Sequence, residues 1–263
     1  MSGYNLAVRL LLLSDIHSNL EALEACLDAA PEYDFVANLG DVVGYGGSPN
    51  QVVDLVRAMA PVSVRGNHDC SCCGLTDLST FNPVAAAAAM WTRSELSEKN
   101  LNWLRELPAG PLRGLQLNGM LWEVQLVHGS PEHENTYIAS ELSAGAALAE
   151  STFHLTFFGH THIQGAYALR QKRTEAVPLE PVSSENRILE SRLALDPKLK
   201  YLVNPGSVGQ PRDHDRRAAF AVYDEQRREV LFYRVPYDIA HAQERILSAG
   251  LPQALAARLE EGR

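Results

Sequence analysis

A chain of 263 residues with 46% hydrophobic side chains can bury a substantial core, as one large domain or two small ones. Its net charge of −9 excludes a basic nucleic-acid groove and argues against anchoring on an anionic membrane. No apolar run approaches a transmembrane span, and the four cysteines, three of them crowded as Cys70, Cys72 and Cys73, make no spaced disulfide framework, so a cytoplasmic setting is expected.

In chain order, the apolar run Leu10 to Leu13 reads as a buried strand over 7–13. Arg9 precedes it, and Asp15 and His17 follow at once, which argues against a signal peptide. A helix follows over Leu20 to Ala30, then a strand Phe35 to Leu39 that ends at Gly40-Asp41. A second helix, Pro49 to Ala60, leads to the strand Val62 to Arg65 and the turn Gly66-Asn67-His68-Asp69. This alternation predicts βαβ units with parallel pairing. Residues 70–110 depart from that rhythm: Ala85 to Ala89 and Ser94 to Leu107 read as helices of an insertion. Leu121 to Val127 and Leu155 to Phe158 resume the strand pattern, ending at His128 and His160. The stretch 170–200, polar and punctuated by prolines, reads as a long surface excursion. Tyr201 to Val203, Ala218 to Tyr223 and Val230 to Val235 read as strands, and 238–263 as two short helices broken at Gly250-Leu251-Pro252. No repeat or linker divides the chain, so a single domain over 1–263 is expected.

Chemistry concentrates in short motifs at the predicted strand ends: Asp15-Ile16-His17, Gly40-Asp41, Asn67-His68-Asp69, His128, and Gly159-His160-Thr161-His162. Ligands of open α/β sheets collect at such positions. A lone Asp-x-His is mostly chance, but five of the nine histidines fall inside these motifs, each at a strand end. Mixed Asp and His ligands favour Mn, Fe, Zn or Co over Mg or Ca. Two divalent ions in a hydrolase need one bridging carboxylate, and Asp41, after a glycine that lets the backbone approach, is the natural bridge. His133, His154, His214 and His241 read as surface or satisfied residues.

The ordered set Asp-x-His, Gly-Asp, Gly-Asn-His-Asp, His and Gly-His-x-His closely resembles the calcineurin-like metallophosphoesterases, over roughly residues 7 to 240. Residues 15–20, the run Gly40 to Gly46 and the run Asn204 to Arg212 look most like the small prokaryotic phosphodiesterase branch that includes asymmetrical diadenosine tetraphosphate hydrolases. The resemblance implies an α/β fold, a four-layer sandwich of two mixed sheets with helices outside. It implies one metal on Asp15, His17, Asp41 and His162 and a second on Asp41, Asn67, His128 and His160, with manganese the first to try in vitro. A hydroxide bridging the metals is the implied nucleophile. Asn67, His68 and Asp69 are the implied catalytic residues, Asn67 offsetting phosphate charge and His68 protonating the leaving oxygen. The implied partner is a small phosphorylated substrate, such as a nucleotide or dinucleoside polyphosphate, and a homodimer is compatible with the family.

Two departures shape the substrate reading. Protein serine/threonine phosphatases carry Gly-Asp-x-x-Asp-Arg-Gly at the second motif, where this chain has Gly44 and Tyr45; that weakens a phosphoprotein reading, although Arg65 is shared. Some bacterial relatives carry Cys in place of the acid histidine, whereas His68 is present here, so leaving groups of higher pKa stay accessible. Arg212 and Arg216 are candidate phosphate clamps, and Tyr45 and Tyr137 candidate base-stacking rings. Alternative readings are a phosphomonoesterase or protein phosphatase and, in another class, a non-catalytic metal-binding scaffold like the retromer subunit of this fold. The cysteine cluster reads as small residues at a helix start.

Overall fold

The computed structural model describes residues 8–263 apart from 80, 118 and 186. Its elements run β1 (Arg9–Leu13), α1 (Leu20–Ala29), β2 (Phe35–Asn38), α2 (Pro49–Ala58), β3 (Val62–Ser63), α3 (Asn67–Cys72), α4 (Pro83–Glu95), α5 (Glu98–Glu106), β4 (Leu112–Leu117), β5 (Met120–Leu126), α6 (Glu141–Glu150) and β6 (Leu155–Phe157). They continue with β7 (Gly165–Arg170), β8 (Arg173–Ala176), β9 (Glu180–Glu185), β10 (Ile188–Ala194), β11 (Lys200–Asn204), β12 (Ala218–Asp224), β13 (Glu229–Val235), α7 (Ile239–Ser248) and α8 (Gln253–Glu261). The first sheet has the order β3-β2-β1-β12-β13-β10-β9 and the second β4-β5-β6-β11-β7-β8. Each contains a parallel trio, β1–β2–β3 at one edge of the first sheet and β5–β6–β11 in the middle of the second, extended by antiparallel strands. The sheets are therefore mixed, as the resemblance implied. Residue 7, the first of the predicted opening strand, lies outside the described residues.

The continuous apolar run of β1 has a simple cause: both its faces are covered. Leu10 and Leu12 enter the core between the sheets with Val124, Phe157, Val203 and Phe232. Leu11 and Leu13 face the other way, under α1 and α2, with Val36, Val53 and Phe220. All four leucines are fully buried, each contributing about 2 kcal/mol from removal of apolar surface. On the outer face of the second sheet, Ala144, Ala147 and Leu148 of α6 pack on Phe158 and Leu202. The layers are thus helix, sheet, sheet, helix. Helix starts are fixed by side-chain caps: Asn19, Asn82, Ser97 and Asp238 each accept a backbone N–H of the first turn.

The stretch 170–200 is not a surface excursion. It holds β8, which completes the edge of the second sheet, and β9 and β10, which extend the first. Helices α3, α4 and α5 occupy the region predicted as a helical insertion, and among the described residues no helix is long and apolar enough to cross a membrane.

Candidate metal centre and substrate cleft

The parallel strands of both sheets end in loops that converge on one point. Asp15 and His17 follow β1, Asp41 follows β2, Asn67 and His68 open α3 after β3, His128 follows β5, and His160 and His162 follow β6. The loops are stitched to one another through the backbone. Asp15 N donates to Gly40 O at 3.0 Å, His17 N to Asp41 O at 3.0 Å and Gly159 N to His128 O at 2.8 Å. The loop after β11 closes the ring, with Ser207 Oγ donating to Asp15 O at 2.7 Å. Asp15, His17, Asp41, His160 and His162 all adopt left-handed backbone, with φ of 52°, 50°, 55°, 66° and 60°. Non-glycine residues there store roughly 1 kcal/mol or more each and persist only where the surroundings over-determine them. Strain in five neighbouring candidate ligands is a signature of a functional site.

Each histidine is aimed by its outer nitrogen. Nδ1 of His17, His128 and His162 lies 3.1, 2.8 and 2.6 Å from the carbonyl oxygens of Val43, Leu39 and Gln210. A carbonyl only accepts, so those Nδ1 atoms carry a proton and the Nε2 atoms point inward. His160 is turned the other way: its Nε2 faces Asn135 O at 3.3 Å, which leaves Nδ1 as the inward lone pair. The inward nitrogens meet in pairs, His17 Nε2 with His162 Nε2 at 3.2 Å and His128 Nε2 with His160 Nδ1 at 3.1 Å. Between the neutral rings of His17 and His162 the facing lone pairs repel, while in the second gap His128 holds a proton that a cation would displace. Two donors about 2.1 Å from one cation at about 100° stand about 3.2 Å apart, so each gap has the span for a cation.

Asp41 joins the two gaps. Its Oδ2 lies 3.7 Å from His17 Nε2 and 3.4 Å from His128 Nε2, and it is buried with no hydrogen-bond partner. Asp15 Oδ1 stands 3.3 Å from His162 Nε2, and Asn67 Oδ1 3.2 Å from His128 Nε2. Two ligand groups result, Asp15, His17, Asp41 and His162 on one side and Asp41, His128 and His160 on the other, with Asn67 beside the second. The donors of each group lie within 4.8 Å of one another and are all buried. Glycine makes the convergence possible: a Cβ on Gly66 would sit 2.0 Å from Asp41 Oδ1, and one on Gly159 2.0 Å from Ser14 Oγ. The residues present therefore fit two divalent cations sharing one carboxylate.

Electrostatics are consistent with this. Burial holds His17 and His162 well below the ordinary histidine range and brings His160 down to about 3, so these rings are neutral and available as ligands. Burial alone would raise Asp41, but the charged imidazole of His128 beside it outweighs that and holds the carboxyl well below the usual range. Burial would likewise lower His128, but Asp41 beside it pushes the ring up to about 10. Asp15 is raised to about 6 by burial. Without cations the site thus keeps one proton on His128 to balance its carboxylates.

The description of the calcineurin-like phosphoesterase superfamily domain matches residues 8–228. An uncharacterised protein of Methanocaldococcus jannaschii is 35% identical over 260 residues, covering 96% of this chain and 97% of that one. The crystal structure of a metallophosphoesterase from Sphaerobacter thermophilus aligns with a TM-score of 0.80 at 37% identity, over 98% of this chain and 100% of that one. A hypothetical protein of Pyrococcus horikoshii shares the fold, with a TM-score of 0.76 at 19% identity over 97% and 99% of the two chains. The chain belongs to the calcineurin-like phosphoesterase superfamily.

The remaining sequence candidates divide within this superfamily member. His68 stands at the rim of the cluster: its backbone N–H donates to Asp41 Oδ1 at 2.8 Å, and its ring packs against Tyr45, Phe81 and His17. Its Nδ1 is buried without a partner, and burial lowers the ring to about 4. Gly44 stands directly behind it; a Cβ there would lie 2.7 Å from that Nδ1. Asp69 is fully buried, and its carboxylate is consumed by backbone N–H donors from Asp41 at 2.8 Å, Gly66 at 2.9 Å and Val43 at 3.2 Å. It pins the Asp41 loop to the Gly66 turn and faces no cleft, so its geometry is that of a positioning residue rather than a catalytic one.

Tyr45 is 7% exposed, its ring occupied by His17 and His68 at centroid distances of 4.7 and 4.3 Å, so no face remains for a base. Arg212 borders the cluster, its N–H bonded to His162 O at 3.2 Å. Arg216 is not brought to the site: it is exposed and ion-paired with Glu260 of α8. Beside the cluster lies a cleft of about 730 Å³ lined by Asn67, His68, Leu75, Phe81, Tyr137 and His160 among others. Tyr137 stacks on His160 at 3.9 Å and 23° while staying 52% exposed, and Leu75 is 46% exposed. Cys70 lines the cleft floor, and all four cysteines are free. Sequence reading missed Asn135, which orients His160, and Glu134, paired with Arg65 at 3.3 Å. Both lie in the loop after β5, and only their closeness to His128 in sequence signalled them.

Proposed function

We propose that this chain is a dinuclear-metal phosphoesterase that hydrolyses a small phosphodiester or a nucleotide-like phosphoanhydride. The observation that carries this reading is the two pairs of facing imidazole nitrogens hinged on an unpartnered, buried Asp41 oxygen. Two divalent ions held there would supply Lewis-acid charge at the phosphoryl oxygens and a water of lowered pKa. Asn67 and His68 face the cleft next to the cluster. There the Asn67 amide can donate to an equatorial phosphoryl oxygen, and the His68 ring can hand a proton to the departing oxygen. Burial keeps His68 neutral in the free protein, so its use as an acid depends on the charge of an arriving phosphate to draw a proton onto it. The half-exposed Tyr137 ring and the exposed Leu75 suit an apolar, stackable portion of the substrate such as a nucleobase.

The test is a turnover comparison with Mn²⁺-loaded protein on bis(p-nitrophenyl) phosphate, p-nitrophenyl phosphate and diadenosine tetraphosphate, alongside metal analysis. Diester or anhydride turnover that exceeds monoester turnover and depends on two ions per chain supports the reading. Preference for the monoester moves the chain to the phosphatase alternative. Full metal occupancy with no turnover of any phosphoester identifies the scaffold alternative.

A further inference from the structure

Helix α8 lies beyond the segment matched by the superfamily description, yet it carries a cation to the edge of the site. The guanidinium carbon of Arg258 stands 5.8 Å from the centre of the Tyr45 ring, and that of Arg212 stands 5.9 Å from the same point. Tyr45 in turn touches His17, a candidate metal ligand, and His68, the candidate proton donor. Among the described residues neither arginine forms an ion pair, in a chain with 32 acidic residues. Arg212 has one side-chain partner, Gln210 Oε1 at 3.0 Å from Nη2, and its Nε is buried with none. Burial lowers Arg258 below the ordinary arginine range, and the neighbouring charge of Arg212 lowers it further. Two half-buried like charges with no carboxylate in direct contact are costly, and a cation–π contact offsets little of that cost.

The pair is also held in place. His214 N donates to Gly262 O at 3.0 Å, and Arg216 pairs with Glu260, so the loop carrying Arg212 and the helix carrying Arg258 are tied at two points. Gly262 ends α8 at φ +64°, where a Cβ would press within 2.9 Å of the Asp215 backbone. Arg216, read from sequence as a phosphate clamp, thus acts as a tie for α8.

We infer that Arg212 and Arg258 form a second anion site beside the metal centre, which takes a phosphoryl group of the substrate other than the one under attack. This rests on the phosphoesterase reading and narrows it: the substrate class becomes a phosphoanhydride, a nucleoside polyphosphate or dinucleoside polyphosphate, rather than a simple diester. Planar guanidinium forks bind phosphate oxygens in pairs, so two of them 5.9 and 5.8 Å from one ring centre suit successive phosphates of a polyphosphate chain.

Two measurements test this. Inorganic tripolyphosphate is titrated calorimetrically into EDTA-treated wild type, Arg212→Gln, Arg258→Gln and Arg258→Lys. The glutamine variants should bind at least about tenfold more weakly, the loss of one charged hydrogen bond, with the lysine variant between them and wild type. On Mn²⁺-loaded protein, the ratio of kcat/KM for diadenosine tetraphosphate to that for bis(p-nitrophenyl) phosphate should fall about tenfold in Arg258→Gln, mostly through KM. Equal tripolyphosphate affinity in wild type and both glutamine variants, or an unchanged ratio with only a lowered melting temperature, would overturn the anion site and leave Arg258 a stacking residue on Tyr45. If no phosphoester is turned over but tripolyphosphate still separates the variants, the anion site stands and the phosphoesterase reading falls.

Discussion

Replacing Asp69 with Asn separates positioning from catalysis. The Asp69 carboxylate accepts backbone N–H bonds from Asp41, Gly66 and Val43 at 2.8, 2.9 and 3.2 Å in a fully buried setting. An asparagine keeps one oxygen, which can serve the amides of Asp41 and Gly66 that share Oδ2, but it turns an NH₂ toward the Val43 N–H. Losing the charge assistance on two bonds costs roughly 1 kcal/mol each, and leaving a buried donor facing a donor adds about 1–3 kcal/mol. The sum is about 3–5 kcal/mol. At roughly 3 °C per kcal/mol for a chain of this size, the metal-free protein should melt about 10 °C lower. The assay is thermal unfolding in EDTA at pH 7.5, followed by Mn²⁺ titration. The affinity of both metals should fall as well, because the loosened loop carries Asp41. A variant that melts within 2 °C of wild type yet has lost turnover would refute the reasoning and return Asp69 to the catalytic group.

Asp41→Asn should strip both metals, as read by elemental analysis after dialysis; one ion retained at undiminished affinity would show that Asp41 is not the bridge. His128, raised to about 10 by Asp41, is protonated at pH 7.5 in the metal-free protein, so metal binding should release a proton there and tighten as pH rises toward 10. Calorimetry in buffers of differing ionisation enthalpy reads that release, and an absence of it contradicts the His128–Asp41 ion pair. His68 falls from 6.5 to about 4 on folding. Its stabilising contribution, about 3 kcal/mol at about 1.4 kcal/mol per pH unit, is present above pH 6.5 and lost as pH falls through 4. His68→Gln should therefore flatten the metal-free stability profile between pH 6.5 and 4, and an unchanged slope rejects the assignment. Gly44→Ala combines a φ of +94° with a Cβ 2.7 Å from His68 Nδ1. It should lower kcat at least tenfold with both metals still bound, and an unaltered kcat would free His68 from that constraint.

The candidate metal cluster is legible because each candidate ligand sits within a few residues of the end of a strong apolar run. Leu10 to Leu13, Phe35 to Leu39 and Leu155 to Phe158 announce strands by composition, and the polar residue that follows each has few places to go. Such local signals fail where an element is made by its partners. β9 reads Glu-Pro-Val-Ser-Ser-Glu and is exposed almost throughout. Nothing in its own sequence marks a strand; it exists because β10, itself anchored on β13, offers an open edge to pair with. α6 did carry a readable start, the Ser140–Ser143 capping box, but its thin apolar face of small alanines hid the period.

Arg258 marks a deeper limit. On α8 the residues that face inward are Leu255, Ala256 and Leu259, so an arginine at 258 reads as the flank of an ordinary amphipathic helix. Its meaning comes from the ring of Tyr45, more than two hundred residues earlier, which is fixed at φ +61° by a turn that also carries Gly44. That turn seats His68 from one side while Tyr45 meets the two arginines on another, so the proton donor and the cations are set by the same few backbone angles. A substitution that relaxes Tyr45 out of the left-handed region should therefore disturb His68 and Arg258 together, and double-mutant cycles between Tyr45 and each of them should show coupling well above the few tenths of a kcal/mol found for independent sites. Strict additivity in both cycles would mean that the two halves of the site are adjacent but separately built.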